Sequence, residues 1–215
     1  MNKFWERFFY LLTYISQGSS YLSPRAYAIL HRMHHAFSDT EKDPHSPHHT
    51  KNVFTMMWDT KNIYNAVLTR KREVEQRFDR NYPEWNLIEK LGDSWVSRIG
   101  WGLIYTVFYI LAYVYLDMHW AFFFLLPIHF LMGPIHGAIV NWSGHKYGYQ
   151  NFDNNDHSKN SLVFDFLMLG ELFQNNHHKR PNSVNFGQKW YEFDPTYPVI
   201  KLLEKLKIIK VRKKH

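Results

Sequence analysis

From Ile99 to Trp142 the chain runs without a single lysine or arginine, and Asp117 is its only acid. The stretch reads IGWGLIYTVFYILAYVYLDMHWAFFFLLPIHFLMGPIHGAIVNW. An α-helix needs about 20 apolar residues to cross the hydrocarbon layer of a bilayer, so the stretch is long enough for two passes. It breaks at Leu116–His119, which predicts transmembrane helices over 99–116 and 120–140 joined by a short turn. Trp101, Trp120 and the tyrosines between Tyr105 and Tyr115 suit an interfacial belt or a packed core. The competing reading is a buried hairpin of a soluble protein. Uninterrupted apolar length and the missing basic residues favour the membrane.

A two-span hairpin returns the chain to the side it left. All 26 Lys and Arg then lie on one side, before Ile99 or after Trp142, and the positive-inside rule makes that side cytoplasmic. The net charge of +7 is explained by this topology, with anionic lipid headgroups or an acidic substrate as added possibilities. No basic motif with a known docking geometry is present, so no nucleic-acid partner is expected. Cysteine is absent, which excludes disulfide scaffolds and cysteine-held zinc or iron–sulfur sites. An aromatic content of 18% excludes a disordered chain.

The flanking segments are helical in outline. Phe4–Leu22 is apolar but interrupted by Glu6, Arg7 and Gln17, and its clean run Phe8–Ile15 is too short to span, which predicts an interfacial or buried helix. Pro24 lies just after it, and a second helix is expected to begin near Arg25 and run through the first histidines. Lys51–Arg98 reads as short helices under a polar surface, with Thr69–Arg77 a solvated helix face. Val199, Leu202, Leu203, Leu206 and Ile209 recur at helical spacing with lysines opposite, an amphipathic helix lying on protein or membrane. No small-residue cleavage site of a secretory signal is evident.

Fourteen histidines are the chemical clue, because imidazole binds metals. In HRMHH, His31, His34 and His35 stand at i, i+3, i+4, one face of a helix. In QNNHH, Gln174, His177 and His178 repeat that spacing with glutamine leading. Asn141 and His145 stand at i, i+4 directly after the second span. A lone histidine is usually a hydrogen-bonded core residue, but two matched triplets and a histidine at a span's end are harder to dismiss. Six imidazoles exceed what one tetrahedral zinc needs, so two metals in a histidine cage is the economical reading.

The remaining histidines rank lower. His45, His48 and His49 sit in a proline-rich turn, where surface or headgroup roles outrank ligation. His119 is interfacial, and His129 and His136 are core groups bonded to backbone. Nothing in its spacing demands His157, and His215 is terminal. Asp39, Asp43, Asp156 and Glu171 are candidates to orient ring N–H groups, with a cap or surface role favoured for Asp39.

At LHRMHHAFSDTEKDPHSP, VNWSGHKYGYQNFDNNDHSKNS and GELFQNNHHKRPNSVNFG the chain resembles the membrane fatty acid desaturases, of the acyl-CoA, delta-9 branch. The resemblance runs from about Ser23 to the final helix. It implies an all-α membrane protein, a transmembrane helical hairpin with a cytoplasmic helical cap carrying the histidine cluster. The regions 23–98 and 141–215 would hold the histidine boxes within one desaturase domain, 1–215. It further implies two iron ions (Fe2+) held by His31, His34, His35, His145, His177 and His178, with Asn141 reaching an iron through water. Dioxygen and two electrons from a separate cytochrome b5-like or ferredoxin-like donor would introduce a double bond into a long saturated acyl chain.

Two departures stand out. The family's upstream H-x-x-x-x-H box and its preceding spans are not in this sequence, which favours a record that starts at an internal Met. Gln174 stands where the family's last box opens on histidine, a weak ligand at best. The alternatives are a hydroxylase or ketolase of the same superfamily, a non-catalytic membrane metal-binding protein, and a soluble zinc protein.

Overall fold

The computed structural model describes residues 1–161 and 165–211, so His215 and the extreme carboxyl terminus lie outside the described residues. Among these residues regular structure is helical, with isolated bridges joining Tyr149 to Asn160 and Asn160 to Phe173.

Helix α1 spans Lys3–Gln17 and begins where Asn2 Oδ1 accepts from Trp5 N at 3.0 Å. It stops short of the expected Leu22 because Gly18 turns left-handed, φ 53°, and a 3-10 turn follows over Gly18–Ser20. Only Tyr10 of α1 is buried, and Phe4, Phe8, Leu11, Leu12 and Ile15 stay exposed.

Helix α2, Pro24–Phe37, has Ser23 as its cap and proline in its first turn, where a missing N–H costs nothing. Ala26, Ile29, Leu30 and Met33 recur at helical spacing and pack against Val67 of helix α3, Val53–Leu68, and against Phe78. This stripe forms the main core and leaves the next face of α2 to the histidines. Buried Arg25 ties the loop after α3 to α2. Its guanidinium donates to Asp79 at 2.8 and 3.2 Å and to the Val67 carbonyl at 3.0 Å.

Thr69–Arg77 is not the helix face expected. The helix ends at Leu68, Arg70 takes a φ of 56°, and the chain continues in turns. Its charged residues offer no apolar stripe to pack, whereas burial of Phe78 and pairing of Asp79 hold the chain extended across α2.

After the short helix α4, Asn86–Gly92, come two helices long and apolar enough to cross a membrane. Helix α5, Trp95–Tyr115, is capped by Ser94 Oγ accepting from Ser97 N. Asp117, at φ 50°, turns the chain, and His119 Nδ1 accepts from Ala121 N to open the next helix. Helix α6 runs over Trp120–Lys146, with a 3-10 opening at Trp120–Leu125 and a π-turn at Ile139–Ser143. It extends past the expected 120–140 and carries Asn141 and His145 within its last turns.

The Gly18–Ser20 turn seats against both long helices. Ser19 Oγ and Ser20 Oγ each donate to the His129 carbonyl at 3.0 Å, and Ser20 Oγ also reaches the Phe130 carbonyl at 3.0 Å. Phe130 is the residue four before Pro134, which has no N–H to offer that carbonyl, so serine supplies the missing donor. His129 is bonded by side chain and not by backbone as expected: its Nε2 pairs with the Tyr109 hydroxyl at 3.0 Å, and its ring stacks on Tyr105. Helix α7, Gln174–Lys179, carries the last histidine box, and α8, Thr196–Lys205, is the expected amphipathic helix, with Val199 and Leu202 exposed.

Candidate metal centre

The C-terminal half of α2, the end of α6 and α7 converge on one point. Spacing of i, i+4 puts His31 and His35 on one line of α2, with Nε2 atoms 3.2 Å apart, and His177 Nε2 lies 2.9 Å from His35 Nε2. His34, between those lines, faces the other way, with its Nε2 3.2 Å from His178 Nε2. His145 joins His34 and His178, each ring centroid 4.9 Å from its own. Two triads result, His31–His35–His177 and His34–His145–His178, each with donor atoms within 4.8 Å of one another. Rings of His35 and His178 lie 4.6 Å apart, so the triads are neighbours.

Carboxylates fix the second triad. The Nδ1–H of His34 donates to Asp43 at 2.9 Å, that of His145 to Asp39 Oδ2 at 3.0 Å, and that of His178 to Asp156 Oδ2 at 2.6 Å. Each bond sets the tautomer and leaves the Nε2 lone pair pointing inward. His145 Nε2 is buried and has no hydrogen-bond partner among the described residues. An orphaned buried nitrogen amid five other imidazoles fits a borderline transition metal such as iron or zinc. Asp39 is thus no surface acid: its side chain is 2% exposed, and it also accepts from His157 N at 2.8 Å and Ser46 Oγ at 3.0 Å.

Burial sets the protonation. It drives His31 down to about 4 and His177 to about 3, assisted by neighbouring imidazoles, so these rings are neutral near pH 7 with lone pairs free. For Asp39 burial works upward and is the largest single influence, but the hydrogen bond and charge of His145 together with the bonds from His157 N and Ser46 Oγ outweigh it and hold the carboxylate at about 2.

The other expected residues divide. Glu171 does not reach a ring nitrogen: its carbonyl accepts from Gln174 Nε2 at 2.6 Å, and burial lifts its carboxyl to about 7. Gln174 is buried, and its side chain fills the space above Gly144, where a Cβ would stand 2.6 Å from Gln174 Cγ. Among the described residues the Asn141 side chain makes no hydrogen bond. His45 is no surface group. It is 8% exposed, with its ring 4.4 Å from that of His34. His48 and His49 are exposed, yet bond the His145 and Asp39 carbonyls, and the His157 ring lies tilted against that of His48 at 4.3 Å.

An asparagine network supports α7 and was missed in the sequence. Asn175 Oδ1 accepts from Asn151 N and Phe152 N, both at 2.9 Å. Asn176 accepts from Asn151 and Asn160 and donates to Phe186 O and to Glu192 Oε2. The density of asparagines over 151–160 was the available sign.

A chain whose described regular structure is helical, with two long apolar helices and a carboxylate-anchored histidine cage, defines a histidine-box class of protein. The fatty acid desaturase family model matches residues 1–207, and the chain belongs to that family, in its delta-9 type branch. It is 31% identical to the sn-1 stearoyl-lipid 9-desaturase of Synechocystis over 84% of this chain and 53% of that protein. It is 30% identical to an acyl-CoA 5-desaturase of Anemone leveillei over 92% of this chain and 58% of the relative. A hex-5-enoyl-[acyl-carrier protein] acetylenase of Moorena producens shares 27% identity over 86% and 59%. The chain therefore spans between half and two-thirds of the length of these curated relatives. No solved structure matches it.

Proposed function

We propose that this chain carries six histidine ligands of the metal centre of an acyl desaturase that removes two hydrogens from adjacent carbons of a long saturated chain. The observation that carries the reading is the pair of neighbouring imidazole triads, one of them anchored by three aspartates. His31, His35 and His177 would hold one iron, and His34, His145 and His178 the other, with Asn141 reaching an iron through water. Bound iron supplies the activation of dioxygen that an unreactive C–H bond requires. One dioxygen, two electrons, two protons and the two hydrogens taken from the chain balance as two waters and one double bond. The electrons come from a separate donor, cytochrome b5-like or ferredoxin-like.

Asp39, Asp43 and Asp156 keep the rings aimed and their outer protons in place. The apolar substrate is matched by apolar surface: Leu103, Ile104, Val107 and Phe108 of α5 are all more than half exposed. Leaving one such side chain in water costs about 1.5–3 kcal/mol, which supports a bilayer around α5 and α6. In this reading both helices span the membrane and the histidine boxes sit together on its cytoplasmic face, where basic side chains meet a polar acyl headgroup.

The test is lipid analysis of cells expressing the natural protein with a reductant system and a labelled saturated acyl chain. A new double bond in the label, lost in His35→Ala, supports the proposal. Iron-loaded protein that leaves the labelled chain saturated overturns it. Oxygen retained on the chain would replace it with hydroxylation.

A further inference from the structure

His45 is buried without an obvious purpose. Among the described residues its ring makes no hydrogen bond, and only the ring of His34 lies against it. The His45 ring nitrogens are nonetheless not among the sealed, unpartnered atoms of the interior, so an edge of the ring still reaches solvent. What surrounds it is other donors. One nitrogen of His45, one of His34 and a carboxylate oxygen of Asp43 lie within 4.8 Å of one another. The Asp43 side chain is fully buried and accepts from His34 Nδ1, Asp39 N and His45 N. The His34 N–H is shared between both Asp43 oxygens, so drawing it onto one of them opens an acceptor site on the other for a cation.

This set is open where a closed core would be sealed. Asp43 and His45 line a cavity of about 330 Å3 between the 41–50 turn and α3 that is half open to solvent, and Glu41, Asp59 and His49 stand in the same wall. Acids around a cleft raise the local concentration of cations. Two imidazoles and a carboxylate suit a divalent transition metal better than a hard ion such as magnesium. His34 belongs to this set and to the His34–His145–His178 triad alike.

We propose that His34, Asp43 and His45 form a third metal-binding set, a loading site that takes a divalent transition-metal ion from the cavity and passes it inward by ligand exchange at the shared His34. The inference rests on the metal-centre reading above. It adds a route by which the ion arrives and a role for a histidine that the two triads do not use.

Cobalt(II) is the probe, added to the full chain in detergent while its visible absorption is followed. His45→Ala and His45→Gln should slow uptake roughly tenfold or more, the order by which groups around a metal site change affinity. The final cobalt content of the two triads should match that of the unaltered chain. In the unaltered chain, cobalt below one equivalent should protect His45 from diethyl pyrocarbonate, read by mass spectrometry, which needs no variant to fold. Uptake at the unaltered rate in both variants, with His45 modified equally with and without cobalt, sinks the loading site alone. A chain that binds no cobalt at all sinks the metal centre with it.

Discussion

Asp39 condenses much of the site into one side chain. It sits at φ 58°, a left-handed conformation aspartate tolerates, and from there holds His145 Nδ1, His157 N and Ser46 Oγ. Asp39→Asn keeps the shape but reverses one donor–acceptor pairing, and should weaken metal binding about 10–100-fold. Cobalt competition against a chelator reads this, and an affinity unchanged from the native chain would show that Asp39 is only structural. Asp165 makes a separate prediction. It is 2% exposed, its Oδ1 accepts from Leu172 N, and its Oδ2 has no partner among the described residues. Burial raises its carboxyl from 3.8 to about 7, so the folded chain holds a proton that the unfolded chain releases. The stability it contributes is complete below pH 3.8 and is lost as pH rises to about 7, at up to about 1.4 kcal/mol per pH unit. Asp165→Asn should therefore gain stability relative to the native chain between pH 5 and pH 8, measured as thermal midpoints in detergent. An equal difference at both pH values contradicts the assignment.

At the scale of elements, the joint between the Gly18–Ser20 turn and the long helices decides where α1 sits. Gly18 has no substitute there: a Cβ would lie 1.7 Å from the Tyr105 hydroxyl, at a φ that side chains rarely adopt. Gly18→Ala should cost several kcal/mol and show as lost expression of folded protein, and a normal melting curve would refute the packing. Replacing Ser19 and Ser20 together by alanine should cost about 0.6–1.7 kcal/mol per hydrogen bond lost, read from the melting midpoint. The apolar lengths of α5 and α6 were legible in sequence, as was the helix expected from near Arg25, which starts one residue earlier at Pro24, because each follows from a contiguous run. The non-helical course of 69–77 was not legible. It depends on Phe78 and Asp79 docking onto α2, a contact distant in sequence.

For the whole molecule the testable question is topology. The chain contains no cysteine, so single cysteines can be introduced without background. Asp117→Cys, in the turn between α5 and α6, and Asp153→Cys, beyond α6, should label with a membrane-impermeant maleimide from opposite sides of sealed vesicles. Labelling from the same side would mean that the two helices do not span.

The candidate site was half legible. Spacing within a helix placed His31, His34 and His35 on neighbouring lines of α2, and resemblance linked them to His145, His177 and His178. Local period and apolar length belong to short stretches of chain, so the sequence by itself determined the helices, the two long apolar segments and the histidine-bearing faces. Which histidine meets which was decided only by tertiary packing. His35 pairs with His177 across 142 residues, His34 with His178 across 144, and Asp39 with His145 across 106. Burial of His45 was decided the same way, because whether a turn lies against a cage or faces water depends on what folds over it.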